Sequence, residues 1–186
     1  DVQYSGVTSP FRLSRIRHFV KTFKITVLPG DGIGPDVTGE ALRVLQAIEA
    51  GCSEVRFECE EHSVGAAEYL RNGDPLPKSA VESCRQTDAV LLGAMGLPDV
   101  RWPDGKEMTP QLDIREIFQL YAGLRPIYLF HGDDSPLKGY EAGGIDFSIV
   151  RESTEGLFSA RLAQGDPAGD EMRDVMRITR KGSERV

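Results

Sequence analysis

A short apolar strand pattern that runs into a cluster of glycines is the feature that most restricts how this chain folds. Lys24–Pro29 (KITVLP) is rich in β-forming residues and is followed directly by Gly30–Pro35 (GDGIGP). From Asp36 onward, apolar residues recur at steps of three and four, the period of an amphipathic helix; they are Val37, Ala41, Leu42, Leu45 and Ile48. The sequence therefore predicts a strand, a tight turn and a helix in immediate succession.

The alternation of strand and helix patterns continues along the chain. It predicts strands at Val55–Cys59, Asp88–Gly93, Leu124–Phe130 and Ile145–Val150, and short helices at Val64–Arg71 and Lys78–Arg85. Asp88–Gly93 (DAVLLG) is apolar on both faces and is therefore predicted to be buried. Because helical crossovers join parallel strands, we expect an α/β fold with a mixed, largely parallel sheet flanked by helices.

Three further local signals lie in the second half of the chain. Gly96–Pro110 is rich in Pro, Gly and Asp and shows no period, so we expect an irregular, exposed loop. Pro110 suits the first turn of a helix, which the apolar spacing extends to Tyr121. Arg177–Val186 is predicted to enter a helix with Thr179 as its N-cap. The sequence ends inside that pattern, which predicts a truncated chain.

Composition and charge exclude two large classes of function. The 186 residues are 40% hydrophobic and 27% charged, which is ordinary for a globular protein, and the formal net charge is -7. A nucleic-acid partner needs a basic face, and no dense cluster of Lys and Arg supplies one. No apolar run approaches the roughly 20 residues that span a membrane. We expect a soluble protein that binds a small molecule, and neither nucleic acid nor a membrane.

Cysteines and histidines indicate neither a disulfide framework nor a metal site. The cysteines are odd in number and lack CxxC spacing, so free thiols in a reducing compartment are expected. The histidines are scattered without ligand spacing, and we assign no metal to them. These residues are Cys52, Cys59, Cys84, His18, His62 and His131.

Residues 1–23 are interpreted as a leader, separate from the folded part at residues 24–186. After Asp1 the leader is basic, contains several Ser and Thr, and has no acidic residue, which is typical of some organelle-targeting segments. A disordered or artificial leader explains the same composition. We expect a cytoplasmic protein, with a mitochondrial location as the alternative.

The glycine turn lies where a dinucleotide-binding fingerprint would, but it does not match that fingerprint. The fingerprint has its third glycine three residues after the second, where this chain has Pro35. The alternative is a turn whose glycines adopt positive φ and let the backbone approach a ligand, with Pro35 opening the helix. A plain strand-to-helix turn is the competing interpretation.

Three arginines form the second candidate site. Arg115 falls in a predicted helix, Arg125 lies near a strand start, and Arg151 follows the end of a strand. An arginine near the carboxyl end of a strand faces the crevice where open α/β sheets bind ligands, and its planar fork suits a carboxylate. A single arginine of this kind is more often a solvated surface charge, and spacing alone does not show that the three converge.

Five segments in order and spacing make the chain resemble a known enzyme family. They are KITVLPGDGIGPDV, DAVLLGAMG, LDIREIFQLYAGLRPIYLF, DFSIVRESTEG and ITRKGSERV. Over Lys24–Val186 the chain resembles the N-terminal half of the isopropylmalate/isocitrate dehydrogenase family, the β-decarboxylating dehydrogenases, and most closely the 3-isopropylmalate dehydrogenase-like members. The resemblance implies part of that family's two-domain α/β fold, truncated at the C-terminus.

The resemblance also implies a chemistry. It points to an NAD-dependent oxidoreductase, with NADP as the alternative, acting on a 2-hydroxy acid with a malate backbone. Hydride transfer to the cofactor precedes loss of the β-carboxylate as carbon dioxide, and Mg²⁺ or Mn²⁺ polarises the forming carbonyl. We expect 3-isopropylmalate as substrate, with isocitrate, tartrate or malate as alternatives, and a homodimer.

Site residues follow from the resemblance, motif by motif. Those expected to bind the substrate carboxylates are Arg115, Arg125 and Arg151. Those expected beside the cofactor are Ile33, Gly34 and Gly93. Those expected to meet the variable group of the substrate are Met108, Thr109, Gln111 and Leu112. Leu112 suits an alkyl group, whereas Thr109 and Gln111 suit a hydroxyl or carboxylate.

The chain departs from the family at one catalytic position. The family places a tyrosine seven residues after the arginine of VRE to help protonate the enolate, and this chain has Phe158, which has no proton to give. Another group, such as Ser159 or a water, takes that role, or the second half-reaction is slow. The resemblance also implies that the catalytic lysine, the metal-binding aspartates and the adenine-site loop lie beyond Val186, so the chain alone is not expected to turn over.

Two alternatives to an active enzyme therefore stay open. One is a non-catalytic paralogue or regulatory subunit that binds ligand without turnover, and the other is a fragment that folds only with a partner. Leu157–Arg173 is a candidate interface arm, with an exposed hairpin as the competing interpretation.

Overall fold

The computed structural model describes residues 20–162 and 175–186. They fall into two compact units, the first ending at Asp104 and the second beginning at Gly105. Residues 1–19, which make up most of the predicted leader, and residues 163–174, which include most of the predicted interface arm, lie outside the described residues. The leader and the arm therefore stay predictions.

The first unit is a parallel sheet with helices between its strands. Its elements are β1 (Lys21–Gly30), α1 (Gly34–Gly51), β2 (Val55–Glu61), α2 (Ala66–Asn72), α3 (Lys78–Gln86) and β3 (Ala89–Ala94). The strand order is β2-β1-β3, and both neighbours run parallel to β1. The predicted α/β class, with a parallel sheet flanked by helices, is confirmed.

The central strand β1 forms the core of the first unit because it has a neighbour on each side. Val27 and Leu28 are buried, and burying such side chains contributes roughly 1.5–3 kcal/mol each. Thr26 is also fully buried, and its hydroxyl shares hydrogen bonds with Ser83 at 2.8 Å and Thr87 at 3.0 Å. The buried hydroxyl is thereby satisfied.

The first strand begins earlier than the apolar pattern predicts. β1 starts at Lys21, so its first three residues fall inside the segment predicted as leader. Lys21 pairs with Val55, and the ring of Phe23 stacks on that of Phe57 with the centroids 6.2 Å apart. Pairing with β2 extends the strand beyond the part that its own apolar residues indicate.

The second unit is built on an antiparallel strand pair. Its elements are α4 (Pro110–Ile117), β4 (Ala122–Tyr128), β5 (Asp146–Glu152) and α5 (Arg180–Glu184), with 3₁₀ turns at Gly132–Asp134 and Leu157–Leu162. Two predicted helix starts are confirmed. Pro110 opens α4, and Thr179 caps α5 through its hydroxyl, which accepts the N–H of Gly182 at 3.0 Å.

The prediction that Asp88–Gly93 is buried is wrong. Val90 is 38% exposed and Leu92 is 36% exposed. β3 pairs with β1 along one edge, and no strand among the described residues pairs with its other edge. Apolar residues on both faces therefore indicated a strand correctly but did not determine how much of it is covered.

The helix predicted to reach Tyr121 ends at Ile117. Gln119 has φ of +52°, a left-handed conformation that an α-helix does not accommodate. The backbone N–H of Leu120 donates to the carbonyl of Arg115 at 2.8 Å, which closes the helix end. The apolar spacing past Ile117 continues into a tight turn instead of a helix.

The described residues show neither a membrane span nor a metal cluster. None of the helices within residues 20–162 and 175–186 is long and apolar enough to cross a bilayer. The same stretches hold no group of three or more His, Cys, Asp or Glu side chains placed to bind a metal ion. The three cysteines are free, and burial raises the pKa of the Cys84 thiol.

Candidate functional site

 The three predicted arginines line one cavity of the second unit. The arginine cavity has a volume of ≈ 300 Å³, and a separate groove, lined in part by Leu157 and Ile178, has a volume of ≈ 410 Å³. The residues that line the arginine cavity are Arg115, Leu120, Ala122, Gly123, Leu124, Arg125, Arg151 and Ser153. The convergence that spacing alone did not show is therefore present in the fold.

The pairing of β4 with β5 places two of the arginines on one face. Gly123 pairs with Arg151, and Arg125 pairs with Ile149. Residues two apart along a strand point to the same side, so Arg125 and Arg151 are diagonal neighbours on that side. Gly123 has no side chain opposite Arg151, which leaves room for the cavity. Arg115 reaches it from the last turn of α4.

The cavity carries positive charge that no described carboxylate neutralises. Within residues 20–162 and 175–186, none of the three arginines forms an ion pair, and the Arg151 guanidinium instead lies 4.9 Å from the centre of the Phe158 ring. A guanidinium presents its donors in a planar fork that matches a carboxylate. Ser153, which is buried, adds a hydroxyl to the lining. The arrangement suits a small anion with more than one carboxylate.

Glu152, the residue after Arg151, has a carboxylate that forms several hydrogen bonds. Glu152 accepts the backbone N–H groups of Thr154 at 2.9 Å and of Glu155 at 2.7 Å, and it pairs with Arg185 at 2.9 Å. Burial by itself raises the pKa of Glu152, but the hydrogen bonds from Thr154, Glu155 and Arg185 outweigh it, so the pKa is lowered. The charged form of Glu152 is therefore stabilised by hydrogen bonds to its own neighbours. Glu152 does not line the arginine cavity.

The four predicted selectivity residues do not line the arginine cavity. Met108 is buried, and Leu112 lines a narrow crevice together with Phe158 and Thr154. The side-chain oxygen of Gln111 is buried and has no hydrogen-bond partner, while Thr109 is the N-cap residue of α4. Their role in substrate selectivity stays a prediction.

The glycine turn of the first unit is a close-packed junction. Gly30 and Gly32 have φ of +81° and +61°, so the predicted positive φ is confirmed. A Cβ on Gly34 would lie 2.2 Å from the carbonyl oxygen of Pro29, and a Cβ on Gly93 would lie 2.2 Å from the same oxygen. Packing between β1, α1 and β3 is therefore sufficient to require Gly34 and Gly93. Their contact with a cofactor stays a prediction.

Asp31, inside this turn, is a residue that sequence reasoning missed. It is 3% exposed, and its carboxylate accepts the N–H of Gly96 at 2.6 Å and of Ala67 at 3.1 Å. The carboxylate thereby ties the turn to the loop after β3 and to the start of α2. An acidic residue directly after a buried strand was the available signal, because a buried carboxylate needs donors close by.

The turn offers limited contact to a cofactor. Ile33 is 63% exposed, whereas Pro35 occupies the first turn of α1 and has no N–H to donate. The residues present fit contact with a cofactor through the Ile33 side chain, and they do not supply the open helix N-terminus that receives a pyrophosphate. Within the described residues, no group of three or more His, Cys, Asp or Glu side chains could bind a metal ion, so no metal ligand is assigned there.

Comparison with protein families identifies one match over most of the chain. The model of the family described as isocitrate/isopropylmalate dehydrogenase matches residues 24–186. The 3-isopropylmalate dehydrogenase of Vibrio vulnificus strain YJ016 is 40% identical over 176 residues, covering 89% of this chain and 48% of the relative. The 3-isopropylmalate dehydrogenase of Saccharomyces cerevisiae is 41% identical over 169 residues, covering 84% and 46%. The chain spans about half the length of the curated relatives it matches.

Solved structures with the same fold agree with this match. An isocitrate dehydrogenase from Methylococcus capsulatus has a TM-score of 0.70 at 30% identity, covering 88% of this chain and 44% of that one. A β-decarboxylating dehydrogenase from Thermococcus kodakarensis has a TM-score of 0.60 at 35% identity, covering 88% and 42%.

Proposed function

Because the chain belongs to the isocitrate/isopropylmalate dehydrogenase family, we propose that the protein is an NAD-dependent oxidoreductase that oxidises and decarboxylates a 2-hydroxy acid with a malate backbone. We propose 3-isopropylmalate as the substrate, because the relatives named 3-isopropylmalate dehydrogenase are 40% and 41% identical to the chain. Isocitrate, tartrate and malate are the alternatives. The observation that carries the proposal is the cavity lined by three arginines without a described carboxylate partner.

In this proposal the arginines bind and orient the substrate. Arg115, Arg125 and Arg151 hold its two carboxylates by charge-assisted hydrogen bonds, and the planar fork fixes the angle of each carboxylate. Holding both carboxylates sets the position of the hydroxyl carbon between them, which is the carbon that loses hydride. A bound NAD, which Ile33 would contact, would supply the hydride acceptor, and a bound Mg²⁺ or Mn²⁺ would supply Lewis-acid polarisation of the hydroxyl oxygen.

After decarboxylation a proton must be delivered to the enolate, and neither Phe158 nor Ser159 provides a free proton for this step. Phe158 has no ionisable proton. The hydroxyl of Ser159 donates to the carbonyl of Gly156 at 2.7 Å, so its proton is already engaged. A water is therefore the proton donor that we propose, and the second half-reaction is proposed to be slow.

The activity is tested by substrate-dependent formation of NADH in the full-length protein with Mg²⁺ or Mn²⁺ present, using 3-isopropylmalate, isocitrate, tartrate and malate in turn. NADP in place of NAD tests the cofactor. No reduced cofactor with any of the four acids would contradict the proposal.

Removing one arginine tests the binding role. We expect Arg125→Ala to raise the KM for the active substrate by about 100-fold, because a charge-assisted pair contributes roughly 2–3 kcal/mol. The matched control is Arg43→Ala, which removes an arginine whose side chain is 73% exposed on α1. Equal KM values for the two variants would show that the cavity does not bind the substrate.

A second candidate function is a non-catalytic paralogue or regulatory subunit, and Phe158 is the observation that favours it. In an impaired enzyme, Phe158→Tyr restores a proton donor and raises turnover by about tenfold or more. In a binding subunit, the substrate binds to both variants and neither forms NADH. Comparing binding and turnover in the two proteins separates these functions.

We also propose that the protein is a homodimer, on the strength of its family membership. Sedimentation velocity over a range of concentrations measures the mass directly. A monomer at every concentration would contradict this part of the proposal.

A further inference from the structure

In the C-terminal segment, one arginine contacts the turn just before β4 and the end of β5, which lie together at one end of the strand pair beside the arginine cavity. Arg185 directly follows α5, and its side chain is 15% exposed. Its contacts reach the turn before β4 and the residues that end β5. Neither the proposed substrate contacts nor the proposed proton transfer uses this residue.

On one side, Arg185 holds the turn that joins α4 to β4. Its guanidinium donates to the side-chain oxygen of Gln119 at 3.3 Å and lies 4.8 Å from the centre of the Tyr121 ring. Gln119 is the residue with φ of +52°, a conformation that is costly without supporting contacts. The next residue, Leu120, lines the arginine cavity.

On the other side, Arg185 holds the end of β5. It donates to Glu152 at 2.9 Å and also to the hydroxyl of Thr154. Glu152 directly follows Arg151, and Thr154 directly follows Ser153; both Arg151 and Ser153 line the cavity. One guanidinium therefore links the two chain segments that carry the cavity lining.

We propose that Arg185 is a positioning residue for the arginine cavity. By joining Gln119 and Tyr121 to Glu152, it sets the spacing between the end of α4, which carries Arg115, and the end of β5, which carries Arg151. This inference rests on the proposed function of the cavity as the site for the substrate carboxylates.

The replacement Arg185→Lys is the main test. Lysine keeps the positive charge but loses the planar fork and the stacking on an aromatic ring. Arg180→Lys is the matched control, because Arg180 lies in α5 and is exposed. Calorimetry on the full 186-residue chain measures the Kd for 3-isopropylmalate. We expect Arg185→Lys to raise this Kd by about tenfold, and Arg180→Lys to raise it by less than about twofold.

A spectroscopic measurement separates positioning from a general loss of stability. The Nε–H signals of the cavity arginines, observed by nuclear magnetic resonance in chains labelled with ¹⁵N-arginine, report where each guanidinium lies. We expect Arg185→Lys to shift the signals of Arg115 and Arg151, while the signal of Arg43 on the surface of the first unit stays in place. Unmoved Arg115 and Arg151 signals together with an unchanged Kd would overturn the inference.

A second replacement covers the case in which Arg185→Lys does not fold. Glu152→Gln keeps the shape of the side chain and can still accept the N–H groups of Thr154 and Glu155, but it places an amide donor against Arg185. The same loss of affinity and the same shifts are expected. If the unaltered chain binds no 3-isopropylmalate while the signals still shift, the proposed function fails and the positioning role stands.

Discussion

At the scale of single residues, Asp31 shows how a buried charge organises the glycine turn. Its carboxylate accepts the N–H groups of Gly96 and Ala67, and a Cβ on Gly65 would lie 2.5 Å from its Oδ2. A charged acceptor of this kind is worth more than a neutral one, and its loss leaves two backbone donors without partners. Asp31 therefore contributes to the structure of the first unit, whatever ligand the turn contacts.

We predict that Asp31→Ala lowers the free energy of unfolding by about 3 kcal/mol, because it leaves the N–H groups of Gly96 and Ala67 unpaired. Chemical denaturation followed by circular dichroism measures the change, and hydrogen exchange should show faster exchange at these two amides. Asp99→Ala, at an exposed position in the loop after β3, is the control. Equal stability of the two variants would contradict the role given to Asp31.

At the scale of elements, α1 contains two glycines in opposite surroundings. Gly34 begins the helix under the carbonyl oxygens of Pro29 and Ala94, where a Cβ would lie 2.2 Å and 2.4 Å from them. Gly39 lies within the helix, is exposed, and would place its Cβ against no atom within 4 Å. Replacing glycine by alanine is therefore expected to change the free energy of unfolding in opposite directions at the two positions.

We predict that Gly39→Ala raises the free energy of unfolding by about 0.5–1 kcal/mol, because alanine restricts the unfolded chain and favours the helix. Gly34→Ala is predicted to lower it by about 1–3 kcal/mol through overpacking. Thermal and urea denaturation of the two variants side by side measures both effects. A loss of stability in Gly39→Ala would show that α1 packs differently from the structure.

At the scale of the whole molecule, three carboxylates link stability to pH. The pKa of Glu68, in the first unit, lies below its ordinary value of 4.5, chiefly through hydrogen bonds from Ser63 and Asn72. The pKa of Glu155, in the second unit, is lowered by hydrogen bonds from the side chain and backbone of Thr179. The pKa of Glu152 is lowered as well. All three groups favour the charged form in the folded chain.

We predict that the chain loses stability on acidification below about pH 5, as these carboxylates take up protons. A group whose pKa is lower in the folded state stabilises the fold above its unfolded pKa, and that contribution disappears as pH falls through the folded pKa. Urea denaturation across this range measures the slope. Glu68→Gln and Glu155→Gln should each flatten it, whereas Glu58→Gln, on the exposed side of β2, should not.

An unchanged slope in both variants would show that these carboxylates are not the groups that couple folding to pH. The two variants also act in different compact units, Glu68 in the first and Glu155 in the second. If only one of them flattens the slope, the acid-sensitive contacts lie in the unit that contains it.

Much of the local structure follows from the sequence alone. The positive φ of Gly30 and Gly32, the helix start at Pro110 and the cap at Thr179 were all predicted and are confirmed. These features depend on the steric and hydrogen-bonding properties of residues within a few positions of one another. The alternation of strands and helices predicted the α/β class for the same reason, since each period is a property of one segment.

The tertiary structure alone decided which of these segments meet. Arg125 and Arg151 share a face because of the register between β4 and β5, which no single segment encodes. The burial of Asp31, the exposure of β3 and the contacts of Arg185 likewise depend on partners far away in the chain. Patterns within single segments predicted the helices and strands and showed where the three arginines lie along the chain. Long-range packing determined that three arginines converge in one cavity, because burial and register depend on contacts between segments and not on the period of any one of them.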